Sequence, residues 1–537
     1  MRTFNTAGPI ETDYHYYLPP LERFELDQIE FLIHQRKYFI LHAPRQVGKT
    51  TFMLSMMDYL NSQGDYRCLY INLETAQASR ENVNQAMTVI IGEMASQAKK
   101  FLGDPFIDDM MIDAIAKYDV RAFSELLALW SDKSDKPLVL LLDEVDALVG
   151  DTLISLLRQL RAGYANRPKH FPQSIILCGV RDIRDYRIHS SAEKTIITGG
   201  SAFNIKVESL RMNNFNQADV HDLYQQHTDE TGQTFTPDAL ALIWELTRGQ
   251  PWLVNALGYE ICFRTPEARR YRGTVTAEMI QIAKEDIIKR REVHLDQLTD
   301  KLKEGRVRRV IAPMLSGTSL DENVQDDDIQ YVVDLGLVHR GPDGLEIANP
   351  IYREVIPRTL NYITQLNFES TIKPHWYIAP DGRLDMNKLM TAFQNFFREN
   401  SEHWLKRFQY QEAGPQLLLQ AFLQRIVNGG GRIEREYGLG LARTDLFVVW
   451  SLPSDEDTPD LSIDNRQKVV IETKIRYGDL EKTIKAGLKQ TWQYMDKANT
   501  AEGHLVIFDR STTKSWGEKV FQRKETFNND EIIVWGM

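Results

Sequence analysis

The first half of the chain alternates short, almost entirely apolar runs with longer amphipathic stretches. The apolar runs cover residues 39–41, 68–73, 138–142 and 174–178. Strands that are apolar at successive positions are buried on both faces, which is typical of a parallel sheet covered by helices. The stretches between the runs are long enough to supply those helices. We therefore predict a parallel-sheet α/β core over residues 1–212.

Beyond this core the pattern becomes mainly helical. Residues 213–300 predict a helical lid. In residues 301–365, a helical stretch, a short strand, a Gly-Pro-Asp-Gly turn and a second strand follow one another, which is the order of a winged helix. Residues 366–392 begin with a polar stretch that contains two prolines, so we expect a linker there.

The last third of the chain combines helical and strand patterns. Residues 386–408 and 415–427 have helical periodicity, and three consecutive glycines follow the second stretch. An acidic loop over 454–464 is expected to be solvated. We predict a second α/β domain over residues 393–537. Its strand-like runs are 433–437, 444–450, 469–475, 505–508 and 532–535.

Composition narrows the class of protein. A chain of 537 residues is too long for a single core, so several domains are expected. No uninterrupted apolar stretch is long enough to cross a bilayer, and the N-terminus lacks the pattern of a secretion signal. The three cysteines lie far apart in apolar contexts, which is typical of buried thiols in a reducing compartment. We therefore expect a cytoplasmic protein without a membrane partner.

The net charge of −11 does not by itself favour nucleic-acid binding. The acidity lies mainly in the first 380 residues, because residues 381–537 contain 22 Lys and Arg against 23 Asp and Glu. A local basic strip can hold a polyanion on an otherwise acidic body. The last domain contains such a strip, made of Lys474, Arg476, Lys482, Lys485 and Lys489.

The first apolar run leads into a phosphate-binding loop. Residues 43–50 read Ala-Pro-Arg-Gln-Val-Gly-Lys-Thr, with Ala43 in place of the usual first glycine. Backbone N–H groups at the start of the following helix suit a β-phosphate. Lys49 supplies a cation for the β- and γ-phosphates, and Thr50 offers a hydroxyl to Mg²⁺. We expect ATP to be contacted by Ala43, Arg45, Gln46, Val47, Gly48, Lys49, Thr50 and Thr51.

The third apolar run ends in Asp143 and Glu144, which complete a nucleotide site. Asp143 is expected to hold Mg²⁺ and Glu144 to polarise the attacking water. Arg181 follows the next run, whose end should lie beside Asp143. Two roles stay open for Arg181, which are contact with a γ-phosphate and an ion pair with Asp182 or Asp185. Hydrolysis of ATP and binding without turnover both fit this pattern.

These motifs resemble those of the AAA-like ATPases, which are related to the archaeal and signal-transducing (STAND) P-loop ATPases. The resemblance covers residues 1 to about 365. It implies a nucleotide-controlled switch with a helical lid and a winged helix, and it makes a homo-oligomer an expected partner state. The stretches that carry it are 41–51, 143–146, 179–182 and the Gly-Gln-Pro turn at 249–251.

A second pattern, near the C-terminus, is typical of metal-dependent phosphodiester hydrolysis. Asp445 begins one strand-like run and Glu472 lies near the end of the next, so paired strands bring two carboxylates to one divalent cation. Lys474 shares a strand face with Glu472 and can orient the water or stabilise the transition state. A structural salt bridge between Glu472 and Lys474 is the alternative. Glu412 is our candidate for a further metal ligand, and Glu434 and Glu436 compete with it.

The order of elements resembles the PD-(D/E)XK nuclease superfamily over about residues 393–537. The resemblance rests on Asp445, Glu472-x-Lys474 and a helix with Gln490-xxx-Tyr494, which matches the Gln/Tyr variant of RecB-like members. It implies catalytic roles for Asp445, Glu472, Lys474 and Gln490, with Mg²⁺ or Mn²⁺ as cofactor. Asp445 follows a threonine where the superfamily often has a proline.

Together the two resemblances predict an ATP-controlled, metal-dependent nuclease that acts on DNA, with defence against foreign nucleic acid as an expected role by analogy. Two alternatives stay open. In the first, the C-terminal domain is a nucleic-acid clamp that keeps a nuclease fold without catalysis, and the ATPase is a signalling switch. In the second, the enzyme is a toxin-like nuclease directed at RNA.

Overall fold

The structure is a computed structural model of the 537-residue chain, and it describes most of that length. The residues outside its description are 24, 183–185, 191–194, 267, 271–272, 291, 317–323, 342–343, 357–376, 408–413, 428–430, 435–445, 453–465, 477, 510 and 512–513. The described chain forms two compact units. The first contains Met1–Asp296 and Asp326–Asn349, and the second contains Gln297–Gln325 and Pro350–Met537.

The strands up to residue 350 are short, and helices separate most of those that form the central sheet. They are β1 (Tyr38–His42), β2 (Arg67–Asn72), β3 (Leu138–Asp143), β4 (Ser174–Gly179), β5 (Arg187–Ser190), β6 (Thr195–Thr198), β7 (Lys206–Arg211), β8 (Thr234–Phe235), β9 (Thr274–Val275), β10 (Val338–Gly341) and β11 (Gly344–Ile347).

The helices of the same stretch are α1 (Leu26–His34), α2 (Lys49–Gln63), α3 (Val83–Leu102), α4 (Phe106–Tyr118), α5 (Ala122–Lys133), α6 (Gly150–Gly163), α7 (Gly199–Ala202), α8 (Gln217–Thr231), α9 (Pro237–Thr247), α10 (Pro251–Phe263), α11 (Ala277–Arg290), α12 (Val293–Lys301), α13 (Gly305–Ser316) and α14 (Asp326–Asp334).

A five-stranded sheet in the order β2-β3-β4-β1-β7 forms the centre of the first unit, and its strand pairs are parallel. Alternate residues of β1 supply opposite cores. Ile40 packs into the layer that contains α3 to α6, whereas Phe39 and Leu41 pack with α1 and α2. Burial on both faces explains why the strands are apolar at every position. The predicted parallel sheet is confirmed, but the β5–β6 hairpin within residues 1–212 was not predicted.

The helices α8 to α11 follow the sheet and lie within residues 213–300, for which a helical lid was predicted. The N-terminal segment packs on them, which the sequence did not indicate. Phe4 and Tyr16 are fully buried against an aromatic cluster with Tyr224, His227 and Phe263. Tyr16 also shares a hydrogen bond of 3.1 Å with His227 Nδ1. The first residues of the chain therefore belong to the core of this unit.

The range 301–365, predicted as a winged helix, is divided between the two units. Residues 326–349 belong to the first unit and contain α14 and an antiparallel hairpin of β10 and β11, in which Val338 pairs with Ile347. The helix and the two strands follow the predicted order, and residues 342–343 of the predicted turn lie outside the described residues. Residues 301–325 belong to the second unit, and residues 357–365 lie outside the description.

The second unit has helices on a mixed sheet. Besides α13, it contains the helices α15 (Met386–Arg407), α16 (Gly414–Val427), α17 (Leu480–Ala498) and α18 (Trp516–Lys519). Its strands are β12 (Gly431–Glu434), β13 (Leu446–Ser451), β14 (Arg466–Ile475), β15 (Gly503–Phe508), β16 (Phe521–Phe527) and β17 (Asp530–Gly536).

These strands form a six-stranded sheet in the order β12-β13-β14-β15-β17-β16. β13 and β14 are antiparallel, whereas β14 and β15 are parallel, so α17 is the crossover between them. Its apolar face packs on both strands through Ile484, Leu488 and Tyr494. The strand runs predicted at 469–475, 505–508 and 532–535 are present, and β16 was not predicted.

The segment 366–392, expected to be a linker, is described only from Tyr377 onward. The backbone N–H of Leu384 donates a hydrogen bond of 2.7 Å to Oε1 of Gln467 on β14, and Nε2 of Gln467 donates one of 3.1 Å to the carbonyl of Leu384. Helix α15 begins at Met386. The described part of that segment is therefore attached to the second unit, because a buried glutamine ties it to the sheet.

Candidate functional site

The phosphate-binding loop connects β1 with α2. Within it, Gln46 has a φ of 56° and Gly48 a φ of 102°. Left-handed residues in a short loop make a concave nest of N–H groups that suits an anion. A residue with a Cβ rarely adopts the φ of Gly48, so glycine is required there. Helix α2 begins at Lys49, and its N-terminus therefore faces the loop.

Lys49 folds back onto this loop. Its ammonium group donates hydrogen bonds of 3.0 Å to the backbone carbonyls of Ala43 and of Pro44, and the residue is 8% exposed. A phosphate oxygen is a charged acceptor and makes a stronger hydrogen bond than a carbonyl. The ammonium group is thus placed where an incoming phosphate can attract it.

Asp143 is completely buried at the end of β3 and accepts hydrogen bonds from three neighbours. Its Oδ2 accepts from the hydroxyls of Thr50, at 2.8 Å, and Tyr70, at 3.1 Å. Its Oδ1 accepts from the backbone N–H of Glu144 at 2.9 Å. The structure thus brings Thr50 and Asp143, both predicted as Mg²⁺ ligands, into contact. A hydroxyl and a carboxylate are oxygen donors, which Mg²⁺ prefers.

Tyr70 was not predicted from the sequence as part of this site. Burial raises the pKa of its phenol, and the charge of Asp143 raises it further, so the hydroxyl stays protonated and donates. No signal in the sequence marks this residue, because it lies inside an apolar strand, β2, where a tyrosine reads as ordinary core.

Glu144 and Asp146 follow Asp143 at the same edge of the sheet. Burial raises the pKa of Glu144, while the cation of Lys49 acts in the opposite direction. Burial raises the pKa of Asp146 to about 6. Asp146 accepts a hydrogen bond from the backbone N–H of Val180, and it fills the space where a Cβ on Gly179 would lie. The loop after β3 is thereby joined to the end of β4.

Arg181 contacts acids far away in the sequence. Its Nε lies 3.4 Å from Asp334 Oδ2, and its Nη2 lies 3.7 Å from Asp327 Oδ1. Both acids are on α14. Asp182, Asp185 and a γ-phosphate were the partners predicted for Arg181 from the sequence, and Asp185 lies outside the described residues. The pairing with α14 could not be predicted because it joins positions about 150 residues apart.

Two further loop features bear on the site. The hydroxyl of Thr51 accepts a hydrogen bond of 3.1 Å from the backbone N–H of Ile10, so the N-terminal segment reaches α2.

At the Gly-Gln-Pro turn, a Cβ on Gly249 would lie 1.9 Å from Phe215 O, which makes glycine necessary. The other predicted ATP contacts comprise the exposed Arg45 and Gln46 and the buried Ala43 and Val47.

The comparison with protein families agrees with this geometry. A model of the AAA-like domain matches residues 5–355, which is about two thirds of the sequence. The chain belongs to the AAA-like domain family. The phosphate-binding loop, Asp143 and Arg181 all lie within this AAA-like domain, which is accordingly of the P-loop ATPase type. The match ends before residue 356, so it does not cover the predicted nuclease domain.

Solved structures similar to the chain are distant. A Walker-type ATPase of Pyrococcus abyssi is 15% identical, with a TM-score of 0.46, and the match covers 66% of this chain and 99% of that chain. Cdc6p from Pyrobaculum aerophilum is 16% identical, with a TM-score of 0.36, over 65% of this chain and 95% of that chain. The Aeropyrum pernix Orc1 protein, solved in complex with DNA, is 16% identical, with a TM-score of 0.34, over 66% of this chain and 96% of that chain. No curated protein matches the chain.

Beyond the AAA-like domain, part of the second predicted site is described. Lys474 Nζ lies 2.7 Å from Glu472 Oε1, and both side chains project from β14. The Glu472 side chain is 1% exposed and that of Lys474 is 27% exposed. On α17, Gln490 is half-buried and Tyr494 fully buried. The geometry fits both the catalytic and the structural interpretation of the Glu472–Lys474 pair.

The remaining predicted nuclease residues cannot be placed. Asp445, Glu412 and Glu436 lie outside the described residues, and Glu434 is described only as the last backbone position of β12. Among the residues that the structure describes, no group of three or more His, Cys, Asp or Glu side chains could hold a metal ion. The predicted metal site therefore stays a prediction.

Two general expectations can be compared with the structure. The three cysteines are free and buried, as predicted. Within the described part of the chain, no helix is both long and apolar enough to span a membrane.

Proposed function

We propose that the AAA-like domain binds and hydrolyses Mg²⁺-ATP, and that this cycle controls a metal-dependent nuclease in the second unit that acts on DNA. The observation that carries the first part is the contact between Thr50 and Asp143, 2.8 Å long, beside the ammonium group of Lys49. These three groups come from two different strand ends and have the chemistry that a Mg²⁺-nucleotide requires.

The phosphate chain is held by the loop in this proposal. N–H groups of residues 45–48 and the start of α2 hold the β-phosphate, and Lys49 leaves the carbonyls of Ala43 and Pro44 for the β- and γ-phosphates. Thr50 and Asp143 hold the Mg²⁺ ion, which when bound supplies positive charge that offsets charge on the phosphates.

Glu144 acts as the general base in this proposal. Its raised pKa brings the carboxylate closer to neutral pH, where a base accepts a proton most effectively during the reaction. The backbone N–H of Glu144 donates to Asp143 Oδ1 at 2.9 Å, which fixes the backbone of Glu144 next to the Asp143 carboxylate. Glu144 accepts a proton from the attacking water, whose oxygen bonds to the γ-phosphorus while the bond to the β–γ bridging oxygen breaks and ADP leaves.

The ATP proposal is tested by the affinity of the full chain for ATP and by its rate of ATP hydrolysis. Lys49→Ala is expected to weaken ATP binding by about tenfold or more, because a desolvated charge pair with phosphate is lost. Lys99→Ala is the matched control, since Lys99 is an exposed lysine paired with Asp108. Unchanged ATP affinity in Lys49→Ala would overturn the assignment of the loop.

The nuclease part of the proposal is supported by the Glu472–Lys474 pair and by its place on the sheet. The pair lies near the end of β14, beside β15 and beneath α17, which contributes Gln490. We propose that Glu472 and Asp445 hold a Mg²⁺ or Mn²⁺ ion, with Glu412 as a further ligand, and that Lys474 and Gln490 orient the attacking water. The basic strip that includes Lys482, Lys485 and Lys489 would contact the substrate backbone.

Nicking of supercoiled plasmid DNA in Mg²⁺ or Mn²⁺, with and without ATP, tests this second part. We expect Asp445→Ala and Lys474→Ala to lose cleavage. The control Lys524→Ala should keep cleavage. Lys524 forms an exposed ion pair with Glu531, and the distance between Lys524 Nζ and Glu531 Oε1 is 2.8 Å. Absence of metal-dependent cleavage in every nucleotide condition would favour the clamp, and cleavage of RNA alone would favour the toxin-like nuclease. Defence against foreign nucleic acid and homo-oligomer formation are proposed on analogy with switch ATPases.

A further inference from the structure

Helix α14 and the turn after it lie across the ends of three neighbouring strands of the AAA-like sheet. From β4 comes Arg181, which contacts Asp334. Pro44, which follows β1, packs closely against Gly336 in the turn after α14, because a Cβ on Gly336 would lie 2.7 Å from the proline ring. From β7 comes Arg211, whose Nη2 donates a hydrogen bond of 3.1 Å to Val333 O. Carboxyl ends of parallel strands are where open α/β sheets bind ligands.

The contact between Arg181 and α14 is buried and organised. Arg181 is 7% exposed and Asp334 is 1% exposed. Gln330 donates a hydrogen bond of 2.8 Å to Asp334 Oδ1, which leaves Oδ2 towards Arg181. The guanidinium carbon also lies 4.8 Å from the ring centroid of Tyr331. Two carboxylates and an aromatic face of one helix therefore surround a single guanidinium group.

Arg181 also lies next to the phosphate-binding loop. β4 pairs with β1 as far as His42 and Gly179, and the backbone N–H of Ala43 donates to Gly179 O at 3.2 Å. The hydrogen bond from Val180 to Asp146 ties this strand end to the loop that contains Glu144. Arg181 thus leaves the sheet between the two loops that would surround a γ-phosphate.

We propose that Asp334 and Asp327 determine how strongly the site discriminates ATP from ADP, because their carboxylates compete with the γ-phosphate for Arg181. This inference rests on the proposed ATP site. ADP lacks the third phosphate and leaves the contact with α14 in place. ATP must draw Arg181 away from both acids, so its affinity is reduced by the free energy of that contact, and binding of ATP loosens α14 from the strand ends.

Separate affinities for a non-hydrolysable ATP analogue and for ADP test this competition, measured by calorimetry on the full chain with Mg²⁺. Asp334→Asn keeps the size and the hydrogen bond with Gln330 but removes the charge. We expect it to tighten binding of the analogue by about fivefold or more while ADP affinity stays within about twofold. Asp327→Asn should shift the ratio in the same direction by less, since its contact is longer and the acid is 23% exposed.

Asp326→Asn is the matched control, because Asp326 is an exposed acid in the first turn of the same helix. Its affinity ratio should equal that of the wild type. Hydrogen exchange of α14 provides an independent readout, and we expect faster exchange with the ATP analogue than with ADP in the wild type. An unchanged ratio in Asp334→Asn, or equal exchange with both nucleotides, would overturn the inference. If Asp334→Asn does not fold, the ratio in Asp327→Asn decides.

Arg181→Ala separates this inference from failure of the proposed function. It should weaken binding of the ATP analogue and leave ADP affinity unchanged, and equal effects on both ligands would overturn the inference alone. If the wild type binds neither nucleotide, or if Lys49→Ala binds as the wild type does, the proposed ATP site fails and takes the inference with it.

Discussion

Each candidate site has a lysine beside oxygen acceptors, yet the two lysines are held differently. Lys49 donates to neutral backbone carbonyls at 3.0 Å, whereas Lys474 is paired with the carboxylate of Glu472 at 2.7 Å. A phosphate can replace a neutral acceptor because charged acceptors bind an ammonium group more strongly. A carboxylate already neutralises its lysine, so that pair serves equally well as a structural element. Geometry therefore favours a ligand at the first site and leaves the second to experiment.

Turnover at the first site provides the largest expected effect. Glu144→Gln removes the proposed base but keeps its size, and we expect ATP hydrolysis to fall by about 100-fold to 10,000-fold. ATP affinity should be retained, since Lys49, Thr50 and Asp143 are untouched. Steady-state hydrolysis and equilibrium binding measure the two quantities.

The matched control is Glu125→Gln, which changes a glutamate that pairs with Arg121 on the surface of the same domain. It should hydrolyse ATP as the wild type does. If Glu144→Gln keeps the wild-type rate, Glu144 is not the base and the first site loses its catalytic interpretation.

Stability distinguishes the two interpretations of the second site. Lys474→Ala removes the ammonium group that neutralises the carboxylate of Glu472, whose side chain is 1% exposed. If the pair is structural, we expect the variant to lose about 1–3 kcal/mol of local stability. Adding Glu472→Gln should restore most of that loss, because the buried charge is then absent. Hydrogen exchange of β14 and α17 in the full chain measures the effect, with Lys524→Ala as an exposed control.

Either result distinguishes a structural role of Lys474 from a catalytic one. Restored protection in the double variant means that the pair stabilises the fold. Unchanged protection in Lys474→Ala, together with loss of DNA nicking, means that Lys474 acts in catalysis and that its contact with Glu472 contributes little to stability.

Features that depend on neighbouring residues could be predicted from the sequence. The apolar run before Asp143 predicted a buried strand whose acid emerges at the sheet edge, and the loop before Lys49 predicted the turn into α2. Both follow from local periodicity and from the chemistry of Gly48. Strand β16 was missed because it lies at the sheet edge and most of its residues are exposed, so it has no apolar run.

Contacts between distant segments could not be predicted. The pairing of Arg181 with Asp334, the burial of Phe4 on the lid and the hydrogen bond from Tyr70 to Asp143 each join positions that no short pattern connects. In each case the residue type alone has a commonplace interpretation, as a surface ion pair or an apolar core residue. Tertiary structure decides between that interpretation and a role at the site.

A smaller effect is expected from Tyr70, which positions the carboxylate of Asp143. Tyr70→Phe removes the hydroxyl donor and keeps the ring, and we expect the apparent affinity for Mg²⁺ in ATP hydrolysis to fall by about tenfold to 100-fold. Metal-free nucleotide affinity should not change. Titration of the hydrolysis rate with Mg²⁺ at saturating ATP measures this effect.

Tyr59→Phe is the control, since Tyr59 also donates to a carboxylate, Glu30 Oε1, at 2.6 Å, but on α1 and away from Asp143. A merely structural role for Tyr70 would lower stability in both variants without moving the Mg²⁺ dependence. That result would remove Tyr70 from the site.

A last effect concerns Asp146 and depends on pH. Burial raises the pKa of Asp146 to about 6, above its ordinary value of 3.8, while Lys49 and Arg45 oppose this shift and Glu144 adds to it. The folded state therefore binds more protons than the unfolded state between these values, and this carboxyl makes stability fall as the pH rises from about 4 to about 6. Above pH 6 its contribution is constant.

Asp146→Asn keeps an oxygen that accepts a hydrogen bond from Val180 but removes this dependence of stability on pH. The variant should therefore be more stable than the wild type at pH 7.5, by about 1–3 kcal/mol, and equal to it near pH 3.5. Urea unfolding of the full chain across this range measures the difference. A wild-type slope that persists in Asp146→Asn would mean that other groups at this edge, such as Glu144, titrate instead.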